Sequence, residues 1–349
     1  MSMPQHSDSA PSLRPAVLLV ALGALLAPIS GTATAASPVV ERAEYVMGTV
    51  ARIAIPLDRD VDRVSERSFE EAFGAIRAVD RSMSLYQPGS ELLRVNAHAG
   101  QHAERVGKDL FQILTRAKEL SAATNGAFDV TVLPLLRAWG GYRELEHLGP
   151  SDPGAVGFAA LRLDRNARSV RFDLPGMAVD LGGVAKGFAL DRARERLRAR
   201  GVTQARLDLG GNLALLGGGP TGCWRVAVRD PAHRERPLGV LELPDDYAVA
   251  TSANYARDFA REGWRAPSHV YDPRTRQPVL TRGAVTVWAP DATTADALAT
   301  AFLVLGPEEA RSVLDHMPGV GVLFATGTEH QHVRFEGAPA CNWHRQANV

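Results

Sequence analysis

The chain has 349 residues, 45% of them hydrophobic and 22% charged. This is the balance of a soluble globular protein of one large or two ordinary domains, and it argues against a disordered, fibrous or multi-pass membrane chain. Its 39 basic residues are matched by 39 acidic ones, so the electrostatic surplus of a general nucleic-acid binder is missing and no nucleic-acid partner is expected. Two cysteines, Cys223 and Cys341, are too few for a disulfide framework or a cysteine-rich zinc site.

The first segment has the pattern of a targeting signal. Residues 1–15 are polar and carry Arg14, residues 16–29 (AVLLVALGALLAPI) are apolar and uncharged, and Ala33-Thr34-Ala35 follows as a small-residue cleavage pattern. A basic start, a short apolar run and small residues at the exit predict a secretory signal peptide over 1–35. The apolar run is too short to span ~30 Å of hydrocarbon, so no transmembrane anchor is expected after cleavage. No cysteine lies near the cleavage point, which argues against lipid anchoring. The expectation is a Sec-type signal and a periplasmic product beginning near Ala36. That compartment is oxidising, so Cys223 and Cys341 can pair there; two separate thiols fit the sequence equally well.

Beyond the signal, Phe69, Phe73, Ile76 and Val79 recur at helical spacing and predict an amphipathic helix over 62–79. Leu110, Ile113, Leu114, Ala117 and Leu120 predict another over 109–123, with Asn125-Gly126 as its left-handed stop. The segment MAVDLGG (177–183) is predicted as a short strand running into a turn, followed by a helix over 184–200 with Gly201 as its stop. Strands are predicted over 205–216, over 224–229, where Trp224, Val226 and Val228 alternate with polar residues, and over 286–290. A helix over 294–305 is opened by Thr293-Thr294 and closed by Gly306, and GVGVLFA and HVRF near the end predict a closing hairpin. Strands and helices mix without strict alternation. That favours an α+β fold, with mixed or antiparallel sheets and packed helices, as one unit over 36–349.

Three groups of residues carry chemistry. Asp296 and Thr300 are four apart on a predicted helix and share a face among Ala, Leu and Phe neighbours. A carboxylate and a hydroxyl on an apolar helix suit a hard cation such as Mg²⁺; the alternative is a helix start stabilised by Asp296. The segment Asp180-Leu-Gly-Gly-Val-Ala-Lys-Gly187 joins a strand end, a glycine turn and a helix start, where free N–H groups attract phosphate. It matches neither standard nucleotide fingerprint, and a tight turn with a solvated Lys186 is the plain alternative. His269, in Ser268-His-Val-Tyr-Asp-Pro273, is either a general base or a histidine that stabilises the turn. His330-x-His332 supplies two ligands without a third and makes only a weak metal motif.

Taken in order, the chain resembles the ApbE family, the FAD:protein FMN transferases. The resemblance is carried by Met47-Gly-Thr49, MSLYQPGSELLRVN (83–96), TNGAFDVTVLPLLRAWG (124–140), DLGGVAKGFALD (180–191), LDLGGN (207–212), TSANY (251–255), SHVYDPRT (268–275) and TADALATAFLVLG (294–306). Each is weak alone; their order and spacing across residues 40–310 make the set specific. The resemblance implies an ApbE-like (T-fold-like) catalytic unit. It implies that FAD is the substrate, that its pyrophosphate is broken, and that FMN is attached through its phosphate to a Thr or Ser hydroxyl of an acceptor redox protein, with AMP released. By the family pattern, Asp296, Thr300 and the carbonyl of Gly183 are Mg²⁺ ligands. Met47, Tyr86, Ala127, Phe128, Asp129, Asp180, Lys186 and Val270 match positions that hold FAD, and His269 matches a histidine able to take the hydroxyl proton. Asp296 and His269 are thus the catalytic candidates.

Two departures stand out. Ala253 occupies a place where the family often has glycine, and Arg276 replaces a glycine after Asp272-Pro273. Ala253 predicts an altered loop, since alanine tolerates positive φ poorly. An FAD pyrophosphatase, with water in place of the acceptor hydroxyl, and a non-catalytic FAD carrier are the competing readings. If Asp296 is a metal ligand, Asp296→Ala is expected to cost more transfer than Thr300→Ala at unchanged metal-free stability.

Overall fold

The structure, a computed structural model, describes residues 38–57, 65–142, 152–219, 222–231, 233, 235–254, 268–280, 283–326, 332–337 and 340–345. All belong to one compact unit, Ser37–Val349. The predicted signal peptide, Tyr255 and His330 lie outside the described residues.

Strands β1 (Val39–Val46) and β2 (Thr49–Pro56) form a hairpin closed by Met47 and Gly48 at φ 53° and 72°. Two consecutive left-handed residues make the primed turn that matches strand twist. Helix α1 (Glu66–Met83) buries the predicted stripe Phe69, Phe73, Ile76 and Val79 and extends it to Met83. Helix α2 (Glu91–Ala97) is capped by the Ser90 hydroxyl, which accepts from Leu93 N. After the short β3 (Glu104–Arg105), α3 (Lys108–Ala123) ends where Asn125 and Gly126 take φ 51° and 77°. Helix α4 (Leu133–Ala138) and strands β4 (Leu161–Asp164) and β5 (Ser169–Phe172) follow, and β5 pairs with both β4 and β3.

The strand expected over 177–183 does not form; the segment makes a single bridge, Ala178 to Val132. Its backbone groups find other partners. Val179 N donates to Asn96 Oδ1 at 2.8 Å, Val179 O accepts from Asn96 Nδ2 at 2.9 Å, and Asp180 N donates to Val130 O at 2.8 Å. Helix α5 (Ala185–Ala199) then ends before Gly201. The predicted strand 205–216 is a hairpin, β6 (Ala205–Leu209) and β7 (Asn212–Leu216), joined by Gly210 and Gly211 with positive φ. Next come β8 (Trp224–Arg229), β9 (Pro237–Leu243), β10 (Ala248–Asn254), the small β11 (Tyr271–Asp272) and β12 (Gln277–Pro278), and β13 (Gly283–Ala289).

Helix α6 (Ala292–Leu314) is capped by Asp291, whose carboxylate accepts from Thr294 N at 2.7 Å. Asp291, rather than Thr293-Thr294, opens it. Gly306 breaks it at φ 69°, as the sequence predicted, and a further helical stretch resumes at Pro307. Strands β14 (Gly321–Thr326) and β15 (His332–Gly337) form the predicted closing hairpin, and β16 (Asn342–Arg345) follows.

Eight strands form the main sheet in the order β1-β2-β6-β7-β10-β13-β14-β15, with every neighbour antiparallel. Helices α5 and α6 pack on it and on each other, and α1 packs on α5. A smaller sheet, β16-β9-β8, packs on the main sheet through Trp224, Val226, Leu241 and Leu243 against Leu215, Val249, Trp288 and Leu323. Strand β13 therefore lies between two apolar layers and is buried along its whole length, which is why it is almost continuously apolar. The expected α+β class is what forms. Among the described residues, no helix is long and apolar enough to cross a membrane.

Cys223 and Cys341 are joined in a disulfide across 118 positions of sequence. It ties the entry to β8 to the entry to β16, the two outer strands of the small sheet. Replacing both cysteines by serine is expected to cost about 2–5 kcal/mol of stability. Denaturant melts of the two forms, with and without reductant, check this: reductant should lower the midpoint of the native protein and leave the serine form unchanged.

Candidate active site

A cleft of about 840 Å³ is lined by residues of 127–132, 180–186, 251–253 and 269–273, by Asp296 and Thr300 on α6, and by Tyr86, Leu136, Tyr142 and Arg229. The most buried of its carboxylates is Asp296, which is 5% exposed. This carboxylate does not cap its own helix, since Asp291 does that. Instead, Asp296 Oδ2 accepts from Gly187 N at 2.9 Å and Oδ1 accepts from Asn212 Nδ2 at 2.8 Å. Burial pushes its carboxyl above the usual aspartate range, while the Lys186 charge and the two donors pull the other way. Gly187 makes this possible, because a Cβ there would lie 2.1 Å from Ala292 O and 2.8 Å from Asp296 Cβ. The start of α5 rests directly on the first turns of α6.

One turn along α6, Thr300 Oγ1 lies 3.1 Å from Ser252 Oγ on β10. Gly183 reaches the same place: a Cβ on it would sit 3.3 Å from Thr300 Oγ1 and 3.4 Å from the Phe128 ring. The structure thus brings Gly183, Asp296 and Thr300 together and adds Ser252. Lys186, half-buried, lines the same cleft.

The phosphate-attracting amides expected at the start of α5 are largely engaged within the protein. Gly182 N donates to Asp180 Oδ1 at 2.8 Å, Val184 N and Ala185 N donate to Leu181 O at 3.0 and 2.8 Å, and Gly187 N donates to Asp296. The Lys186 ammonium and the Arg229 guanidinium, more than this set of amides, are the positive groups lining the cleft.

Asp180 Oδ2 accepts from Tyr142 OH at 2.8 Å, and burial raises its carboxyl. Asp129 is held by Thr131 N at 2.8 Å, Thr131 Oγ1 at 2.7 Å and Phe158 N at 2.7 Å; burial raises it too. Its oxygens fix the wall that carries the buried Ala127 and Phe128. Tyr86 stands exposed with its ring 6.1 Å from that of Tyr142. Ser268 and Val270 are buried and bonded to each other, so His269 between them is turned outward, where it lines the cleft. The Tyr271 hydroxyl is buried with no hydrogen-bond partner, and burial pushes it up to about 12. Met47 is the one expected FAD residue that the structure keeps off the cleft wall; it sits in the β1–β2 turn and packs on the main core.

Comparison with known proteins fits this geometry. The profile of the ApbE family matches residues 47–324. This chain belongs to the ApbE family. Among its relatives, FAD:protein FMN transferase of Vibrio cholerae is 32% identical over 268 residues, 74% of this chain and 76% of that one. The protein of the same name from Treponema pallidum is 32% identical over 306 residues, covering 81% and 83%. The crystal structure of the Thermotoga maritima ApbE protein superposes with a TM-score of 0.71 at 28% identity, over 86% of this chain and 97% of that one. Flavin transferase ApbE from Vibrio cholerae gives 0.72 at 28% identity over the same shares.

Against the ApbE pattern, the two sequence departures prove mild. Ala253 lies in β10, paired with Ala284, and not in a left-handed loop. Arg276 does take the left-handed position, at φ 61°, yet the turn still closes through Arg276 N on Asp272 O at 2.7 Å. Asn212, Ser252 and Tyr142 carry no local sequence signal of their own. The first two lie inside quoted ApbE motifs, and Tyr142 follows one; only their contacts across the fold mark them. Tyr142→Phe should cost about 1.5–3 kcal/mol, the worth of a hydrogen bond to a charged group, and raise the Asp180 carboxyl further. Thermal melts and a carboxyl NMR titration check both.

Proposed function

We propose that this ApbE-family chain is a Mg²⁺-dependent FAD:protein FMN transferase acting on redox proteins outside the cytoplasm. The observation that carries the proposal is the convergence of Asp296, Thr300, Ser252 and Lys186 in one cleft with an apolar and aromatic wall. Its volume lies within the ~300–1,000 Å³ of small-molecule sites. The donor set fits Mg²⁺: it is all oxygen, and each Asp296 oxygen accepts one hydrogen bond, from Gly187 N and Asn212 Nδ2, and keeps further acceptor capacity. Asp296, Thr300 and the Gly183 carbonyl would hold the ion, with the Ser252 hydroxyl beside them. Bound there, it would neutralise charge on the pyrophosphate oxygens.

The chain's own groups supply the rest. Lys186 places a second cation beside the phosphates, and Phe128, Val270 and Tyr86 offer surface to the flavin. The acceptor hydroxyl oxygen bonds to the FMN-side phosphorus, the bond from that phosphorus to the bridging oxygen breaks, and AMP leaves. His269, which lines the cleft, is the group suited to hold the hydroxyl proton. Incubation with FAD, Mg²⁺ and an acceptor flavoprotein domain should yield one FMN on a Thr or Ser and one AMP per transfer. Release of FMN and AMP regardless of acceptor would make the protein a pyrophosphatase. FAD binding without turnover would make it a carrier.

Export is part of the proposal. The signal pattern over 1–35 supports it, and so does the Cys223–Cys341 disulfide, since such bonds persist in oxidising compartments. N-terminal sequencing of the secreted form should start near Ala36; full-length chain in the membrane fraction would overturn the assignment.

A further inference from the structure

Away from the cleft, three metal-binding side chains meet where α2 ends. His98 is the C-cap of α2, and the chain turns through 99–103 to re-enter as β3 at Glu104. Gly100 takes φ 74° in that turn, and a Cβ on it would lie 2.7 Å from Pro175 Cα, so the turn is pressed against the 172–177 segment. The fold back aims two imidazole nitrogens at one carboxylate oxygen. His102 Nε2 lies 2.9 Å from Glu104 Oε1, and His98 Nδ1 lies against the same oxygen. The two rings are 4.5 Å apart between centroids. Glu104 Oε2 is held by Arg94 Nε at 3.2 Å, which fixes the carboxylate plane.

As a hydrogen-bond cluster it pairs His102 and Arg94 with Glu104 and leaves one nitrogen out. His98 Nδ1 is shielded from water yet has no aligned hydrogen-bond partner, although it touches Glu104. It fits the requirements of a metal ion better. The three ligand atoms lie within 4.8 Å of one another. Zinc bound at ~2.0–2.1 Å by two imidazoles and a carboxylate spaces its ligands by about 3.3 Å, so small rotations of the imidazoles suffice. His102 is 55% exposed and Glu104 14%. The ion therefore has a path in and room for water as a fourth ligand.

We propose that His98, His102 and Glu104 form a transition-metal site, best suited to Zn²⁺, that staples the end of α2 to β3. None of the three lines the cleft, so the proposal stands apart from the flavin chemistry. It does bear on the cleft's support. Asn96, two residues before His98, holds both backbone groups of Val179, which directly precedes Asp180.

The test uses metal-stripped protein returned to excess Mg²⁺, which occupies hard-oxygen sites, and titrated with Zn²⁺ against a chromophoric chelator. One Zn²⁺ per chain is expected, with a rise in melting temperature, and Co²⁺ in its place should give the intense visible bands of tetrahedral coordination. Loss of an outer partner of a metal ligand weakens binding about 10–100-fold, so H98A and H102A should each weaken Zn²⁺ at least that much. Both variants should melt like the native chain without metal, and H316A, at an exposed histidine elsewhere, should bind Zn²⁺ normally. Absence of Zn²⁺ binding under Mg²⁺, or equal affinity in the H98A/H102A double variant, would overturn the site.

Discussion

Asp296→Asn is expected to lower FMN transfer about a thousandfold while leaving the melting temperature within a few degrees of native. The structure shows why this substitution separates the two roles of the residue. Asparagine keeps the shape and one acceptor, which can continue to take Gly187 N. Asn212 can turn its amide so that its oxygen accepts from the new Nδ2, which keeps the two side chains paired. What disappears is the negative charge beside Lys186 and the proposed Mg²⁺ position. A thousandfold loss is about 4 kcal/mol of barrier, the scale on which a bound metal ion stabilises transition-state charge. Asp296→Ala, expected from sequence to leave stability unchanged, should instead lose both properties. It strands the Gly187 and Asn212 donors at about 1–3 kcal/mol each. Transfer to an acceptor domain and thermal melts, measured on both variants, decide the matter; a folded Asn variant with native Mg²⁺-dependent transfer would refute the metal role.

Gly187→Ala should cost more stability than an added methyl at any other helical glycine among the described residues. In an isolated helix, alanine is favoured over glycine by about 1 kcal/mol, so helix propensity alone predicts a gain. Here the added carbon would fall 2.1 Å from Ala292 O and 2.6 Å from Ala292 C, and backbone atoms cannot turn aside as a side chain can. The two helices must separate, at the upper end of the roughly 1–3 kcal/mol of an overpacked core or beyond it. The Gly187–Asp296 bond goes with them. A loss of about 3 kcal/mol lowers the melting temperature by roughly 6–12 °C, and transfer should fall with it because Asp296 is displaced. Gly74→Ala is the control. It lies in α1 with nothing nearer than Arg77 Nη2 at 3.7 Å, so it should stabilise by about 0.4–1 kcal/mol. If both substitutions raise the melting temperature, the close packing of α5 on α6 is wrong.

Elements with a local signal are legible without the structure. The stripes in α1 and α3, the stop at Asn125-Gly126, the alternation in β8, the break at Gly306 and the closing hairpin all follow from neighbours a few residues apart, because helix and strand periods fix which side chains share a face. The ordered motifs added the family and most of the cleft residues through resemblance, though periodicity alone left Asp296 open between a ligand and a cap. Features that depend on distant partners emerge only once the chain is packed. Asn212 reaches Asp296 across 84 positions, and Ser252 reaches Thr300 across 48. Asn96 takes the backbone groups of Val179 across 83 positions, so the expected strand at 177–183 has no ladder to join. Most amides at the start of α5, those of Gly182, Val184, Ala185 and Gly187, turn inward to Asp180, Leu181 and Asp296. Met47 serves the β1–β2 turn and packs on the core. In each case, a buried polar group must find a partner, and which one it finds depends on how the whole chain packs rather than on the residues beside it.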